Sequence, residues 1–381
     1  MNPMRRASLR IILLAALSGA GMLAAAAEDG VTDTTILIGQ TVGLTGTVAG
    51  PVKEMNEGAE AYFKQVNKQG GIHGRKIEMR VLDDKFDPAL TRANAETLIR
   101  KERVFALFQG RGTPHTQGIL PLLEGNNVPL IAPSTGAAIF HQPAPRMLFN
   151  IRAKYQDEVV RAVEHFTTIG IKAIGILHVD DAFGQDGLEG FMKAMEARKL
   201  KPAAVLKFAR VNPDNKAAAA EVVKANPAAL IVVSSAKNTI DVIKAIRAAG
   251  SQTQIMTLSN NSSQAFVKEL GPAGTGVIVS QVTPAPHLIS TQLGQEFNAA
   301  AKASGATVSY AAMEGYVNAK VLVEGLRRAG PRLTREGFVR AMETMQRVDL
   351  GGLMVTYGPG DHTGSEFVEL TMIGKDGRFI R

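Results

Sequence analysis

Six residues, Gln109-Gly110-Arg111-Gly112-Thr113-Pro114, stand between the apolar run "VFALF" and a helical pattern. Pro114 suits the first helical position and Thr113 suits an N-cap. Free backbone N–H groups and the helix dipole at such a turn favour an anion. As a GxGxxG nucleotide fingerprint the stretch fails: Gly110 and Gly112 match, but position 115 is His and no third glycine follows. A capped turn with no ligand fits this motif equally well. A second polar turn, Pro133-Ser134-Thr135-Gly136, follows "VPLIA" with two hydroxyls and a glycine. Two such turns side by side would cradle a group the size of a carboxylate.

Three further turns follow apolar runs. Asp180-Asp181-Ala182-Phe183-Gly184-Gln185 comes after "AIGILHV", and its acids suit a cation, an amine or a helix cap. Phe183 could cover a ligand or pack in the core. Ser234-Ser235-Ala236-Lys237 and Ser259-Asn260-Asn261 are small, neutral, hydrogen-bonding turns. Catalysis finds no support. There is no G-x-S-x-G elbow, no phosphate-binding G-x-x-x-x-G-K-[ST] loop and no H-E-x-x-H. The seven histidines are scattered without metal-ligand spacing, and "LDDKFDP" lacks the spacing of a calcium loop and reads as a loop plus helix cap. We therefore expect no enzyme activity, no cofactor and no metal.

These turns need elements to hold them. From Ile36 onward a short apolar run, a turn and an amphipathic helix recur. "PVKEMNEGAEAYFKQVNKQGG" sets Val52, Met55, Ala59, Tyr62, Phe63 and Val66 on one helical face and stops at Gly70-Gly71. "FDPALTRANAETLIRKE" opens with Asp87 as N-cap and Pro88 behind it. The alternation resumes after Tyr155 through "AIGILHV", "AAVLKF", "AALIVV" and "QIMTL". Alternating strands and helices predict parallel sheets covered on both faces, in an α/β fold. Two such arrays in succession predict two similar lobes. The last third is less regular, with "LMVTYG" and "EFVELTMI" as late strands free to return to either lobe.

The 381 residues, 45% hydrophobic and 20% charged, are enough for two cores. The first ten residues carry three arginines, "IILLAALSGAGML" is short and apolar, and "AAAAEDG" supplies small residues for cleavage after Ala26 or Ala27. That order predicts a signal peptide over 1–27 and a periplasmic mature chain. With no cysteine there is no lipid-anchor site, disulfide or thiolate metal site. The formal charge of +8 falls to +5 once Arg5, Arg6 and Arg10 are removed. The remaining charge is dispersed, which suits anionic solutes and argues against nucleic acid.

Along its whole mature length the chain resembles the type I periplasmic solute-binding proteins of ABC importers, in particular the leucine/isoleucine/valine-binding group. The likeness rests on "IGQTVGLTGTVA", "GAEAYFKQVNKQGGIHGRKIEM", "DDKFDPA", "VPLIAPSTGA", "DDAFGQDG" and "YAAMEGYVNAKVLVEGLRRAG", in that order. It implies two doubly wound parallel-sheet lobes joined by a three-segment hinge near 151–155, 280–284 and 352–357. The first lobe would be 28–152 plus 282–354, and the second 153–281 plus 355–381. It also implies that Gly112, Thr113, Ser134, Thr135 and Gly136 grip a ligand carboxylate, with Phe183, Ser235, Ala236 and Ser259 on the facing lobe; Arg111 could pair with a second anionic group or face solvent. The amino-acid binders of this group place an acid where this chain has Ser259. A carboxylic acid without an α-amine, aromatic or dicarboxylic, is therefore favoured over an amino acid, which would need Asp180 or Asp181 to meet its ammonium group. Delivery to an ABC permease by a monomer is the expected role, and ligand sensing for a receptor is the alternative.

Overall fold

The computed structural model describes residues 28–381, so the predicted signal peptide lies outside the described residues. The chain begins with β1 (Thr35–Val42), α1 (Ala49–Lys68), β2 (Lys76–Asp83), α2 (Pro88–Arg100), β3 (Ala106–Phe108), α3 (Thr113–Asn126), β4 (Leu130–Ile131) and β5 (Leu148–Phe149). It continues with α4 (Tyr155–Thr168), β6 (Ile174–Val179), α5 (Ala182–Ala197), β7 (Ala204–Phe208), α6 (Asn215–Ala225), β8 (Ala229–Val233), α7 (Ala236–Ala248), β9 (Gln254–Thr257), α8 (Gln264–Leu270) and β10 (Ile278–Gln281). Then come α9 (Gln292–Ser304), α10 (Tyr310–Ala329), α11 (Arg335–Glu343), β11 (Val348–Asp349), β12 (Met354–Gly358), β13 (Asp361–Gly364), β14 (Glu369–Ile373) and β15 (Phe379–Ile380).

Strands β1 to β5 form one parallel sheet in the order β2-β1-β3-β4-β5. The second sheet runs β15-β14-β10-β9-β8-β6-β7; its five strands from β10 to β7 are parallel, and β14 and β15 add antiparallel at one edge. The fully buried runs of β6 and β8 are what a sheet covered on both faces demands. In the first lobe α1 lies directly on α10. A Cβ at Gly58 would stand 1.8 Å from the Ala312 carbonyl oxygen, and one at Gly315 1.8 Å from that of Met55. Only glycine permits this approach of the two helices.

Three passages link the lobes: one between β5 and α4, a second after Gln281, and a third between Gly364 and Glu369. The third is later than the expected boundary at 354/355. β12 and β13 pair with each other and stay on the first lobe, where Asn150 N–H donates to the His362 carbonyl (2.9 Å) and the Tyr357 hydroxyl to the Asn150 carbonyl (2.6 Å). Only β14 and β15 return to the second sheet, because β14 completes the edge of β10.

Candidate ligand-binding site

The turns after β3 and β4 lie side by side because strand pairing continues into them. Ser134 N–H donates to the Gly110 carbonyl (2.7 Å) and Gly112 N–H to the Ser134 carbonyl (3.2 Å). Gln109 (φ 58°) and Ala132 (φ 57°) both adopt left-handed backbone, turning each strand end outward. The N-cap of α3 is Gly112, with Thr113 the first helical residue, so the cap expected at Thr113 sits one residue earlier. Gly112 has φ 105°, and a Cβ there would meet His115 Nδ1 at 2.4 Å. Freed from capping, the Thr113 hydroxyl bonds that of Thr135 at 2.8 Å.

A narrow pocket between the lobes is lined by Val48, Phe86, Arg111, Gly112, Thr113, Ser134, Tyr155, Val179, Phe183, Arg210, Ser235 and Asn260. Six of these are residues expected from the sequence. Of the other four, Thr135 lies beneath the pocket with its hydroxyl on Thr113, and Gly136 backs onto the first passage, facing the Ala153 carbonyl. Ala236 is the first residue of α7, buried and outside the lining. Ser259 is committed elsewhere: its N–H (2.8 Å) and hydroxyl (3.0 Å) both donate to Glu158.

Arg111 is the strongest electrostatic feature of the lining. Its side chain is buried, donating to Ser134 Oγ (3.3 Å) and, across the cleft, to the Asn260 carbonyl (2.7 Å). Among the described residues no carboxylate lies within ion-pair distance of it. Burial pushes its pKa down, while Glu314 acts on it favourably from a distance. The nearby acids are already engaged. Arg152, in the first passage, donates to Glu158 (3.1 Å) and Glu314 (3.4 Å), contacts Ser259, and lies over the Tyr155 ring at 5.0 Å. Burial opposes the charge of Arg152, but the two glutamates hold its pKa above the ordinary value. Glu314 belongs to a helix of the first lobe and Glu158 to one of the second, so this arginine ties both lobes to the hinge.

On the second lobe, Asp181 caps α5 by accepting from Phe183 N–H (2.9 Å) and Gly184 N–H (3.0 Å), and pairs with Arg210. Asp180 faces outward and pairs with Lys207 (3.1 Å). Neither acid is free for an amine. The Arg210 guanidinium lies over the Phe86 ring at 4.6 Å, and the opposite partner of that ring is His115, stacked at 4.4 Å. Burial pushes the His115 pKa down to about 4, so a neutral imidazole completes the stack at neutral pH. Phe86 reaches the cleft from a loop held by buried Asp84, which accepts from Phe86 N–H, Thr41 and Thr91.

The reading from sequence missed Val48, Phe86, Tyr155, Val179, Arg210 and Asn260 as lining residues. Arg210 had a findable signal, since it follows the carboxyl end of β7 as the other turns follow theirs. Phe86 had none, because its place depends on left-handed backbone at Lys85 and Phe86. Among the described residues no group of three or more metal-ligating side chains converges. The site offers donors, one cation without a contacting acid, and aromatic walls: the equipment for holding an anion.

A family model described as "Periplasmic binding protein" matches residues 35–378. The chain is 22% identical over 343 residues to the "Leu/Ile/Val-binding protein homolog 3" of Brucella melitensis biotype 1, covering 87% of this chain and 90% of that one. Among solved structures, a substrate-binding periplasmic protein from Ralstonia solanacearum superposes with a TM-score of 0.85 at 30% identity, over 91% of this chain and 99% of the other. A fatty acid ABC transporter substrate-binding protein from Thermomonospora curvata has the same fold (TM-score 0.82, 20% identity, 93% and 92% covered). The chain belongs to the periplasmic binding protein family, and its likeness is to the leucine/isoleucine/valine-binding type.

Proposed function

We propose that this protein captures a small carboxylate-bearing solute between its lobes and presents it to an ABC permease, after export to the periplasm through a cleaved signal peptide at 1–27. The observation that carries the reading is buried Arg111, a cation at the pocket wall with no carboxylate in contact. A buried guanidinium without an acidic partner is costly, and a ligand carboxylate supplies that partner. Thr113, Ser134 and Ser235 line the same pocket and add hydroxyl donors. The relatives are described by solutes that carry a carboxylate, branched-chain amino acids in one case and a fatty acid in another. Amino acids are disfavoured here because none of the lining residues is acidic and Asp181 is occupied by two N–H groups and Arg210. An α-ammonium group would be buried without a partner.

A thermal-shift screen of the mature protein tests this with two matched panels, amino acids and their deaminated carboxylic counterparts. Ligand at a hundred times its Kd stabilises by about 2.7 kcal/mol, a readable shift. Hits confined to the acid panel are expected. Hits confined to amino acids would overturn the reading of the pocket's charge.

A further inference from the structure

We infer that the ligand carries a single negative charge and, away from its carboxylate, a neutral hydrogen-bond acceptor such as a hydroxyl or carbonyl that Arg210 recognises. This deepens the proposed function and rests on it. Arg210 walls the pocket from the second lobe, opposite the turn that carries Arg111. Its Nη1 is paired with Asp181, whereas its Nη2 is buried and has no hydrogen-bond partner among the described residues. A buried unpaired donor is expensive, and one on a pocket wall is answered by a ligand acceptor. On the same lobe Asn260 Oδ1 is buried without a partner, so polar groups on this side await a ligand that is more than an apolar tail.

Charge decides what that acceptor is. The positive charge of Arg210 is already met by Asp181, and Asp180 by Lys207. Deeper in, Arg152 lies between Glu158 and Glu314. With Arg111 these groups, buried or half-buried around the cleft, come to three arginines and three acids, balanced before any ligand enters. One carboxylate, in direct contact with Arg111, adds one charge. A second carboxylate at Arg210 would face Asp181 in a low-dielectric cleft and find no free cation. A neutral acceptor uses the open Nη2 without that repulsion. The contact also reads closure, since Arg210 comes from one lobe and rests on Phe86 of the other.

The experiment uses two bodies, each in three forms: benzoate, 4-hydroxybenzoate and terephthalate, and hexanoate, 6-hydroxyhexanoate and adipate. Calorimetric affinities are measured on the mature protein and on its Arg210→Lys and Asp181→Asn variants. Within the body that binds, the hydroxy acid should exceed both the plain acid and the diacid by about tenfold. Arg210→Lys keeps the charge over Phe86 but loses the forked donor, so the hydroxyl preference should collapse. Asp181→Asn keeps a competent helix cap and frees the charge of Arg210, so the diacid should gain about tenfold on the hydroxy acid. Equal binding of plain and hydroxy acids, or a preference that survives Arg210→Lys, overturns the inference and leaves the carboxylate reading standing. A diacid preferred by the wild type overturns the neutral acceptor. Binding of none of the six acids, in both bodies, overturns the carboxylate reading as well.

Discussion

Glu54 of α1 reaches across the cleft and completes a helix of the other lobe. Its two carboxylate oxygens accept from Gln264 N–H (2.9 Å) and Ala265 N–H (2.7 Å), the first backbone donors of α8, while Ser263 caps Phe266 N–H (3.0 Å) from within its own lobe. When the lobes part, those two donors and the carboxylate return to water. Hydrogen bonds to a charged group are worth about 1.5–3 kcal/mol each. Glu54→Gln leaves one neutral acceptor and turns an amide against the second N–H, so closure should weaken by about 2 kcal/mol, or roughly 30-fold. Because an unfavourable closing equilibrium multiplies directly into the apparent dissociation constant, ligand affinity should fall by that factor. Calorimetry with the tightest acid of the screen measures the loss. At a ligand concentration that just saturates the wild type, small-angle scattering should give a larger radius of gyration for the variant, whose closed, liganded fraction is smaller. An unchanged affinity together with an unchanged radius would refute the idea that this carboxylate helps to hold the lobes shut.

The ligand cradle predicts that Arg111→Met, and Thr113→Ala combined with Thr135→Ala, each abolish binding in calorimetry while circular dichroism stays that of the wild type. Asp186 bonds Ala138 N–H at 2.9 Å, its second oxygen is buried without a partner, and burial raises its pKa to about 6. A raised carboxyl favours the protonated form in the folded state, so its contribution to stability falls as pH climbs from about 4 to 6 and is flat above. Asp186→Asn should therefore be more stable than the wild type at pH 7.5, by at most about 3 kcal/mol, with the gain gone near pH 4 in melting curves. Gly58→Ala forces a methyl against the Ala312 carbonyl, and a loss of about 3 kcal/mol in urea unfolding is expected. Arg152→Met strands Glu158 and Glu314 together in the hinge, and a loss of about 3–5 kcal/mol should appear in the same assay.

What could be read in the sequence was whatever is periodic or punctuated. The strand-turn-helix alternation and the Asp87-Pro88 helix start are local and appear where the residues place them, and the turns at Thr113 and Ser134 do too, with the α3 cap one residue earlier than expected. Asp87 does accept from Ala89 and Leu90 N–H, because Asp before Pro serves as a cap in any context. Ser259 was a different case. A serine at a strand end looks like a ligand contact, and only the fold brings Glu158 and Arg152, more than 100 residues away in the chain, to consume its donors. Phe86, Tyr155 and Arg210 meet around the pocket from three separate loops or helix starts, and no spacing along the chain announces that meeting. The misplaced third passage has the same origin, since β12 remains on the first lobe for the sake of Asn150.

The three passages between lobes also govern when each lobe can be finished. The first lobe needs α10 against α1, and the second needs β14 along β10, with Ile278 facing Met372 and Gln281 facing Glu369. Neither partner exists until the chain has been synthesised well past residue 300. A nascent chain of this design carries two unfinished cores at once, and no early segment can lock into a stable half. Such long sequence separations make folding slow. Both halves therefore mature together, only once nearly the whole chain is available.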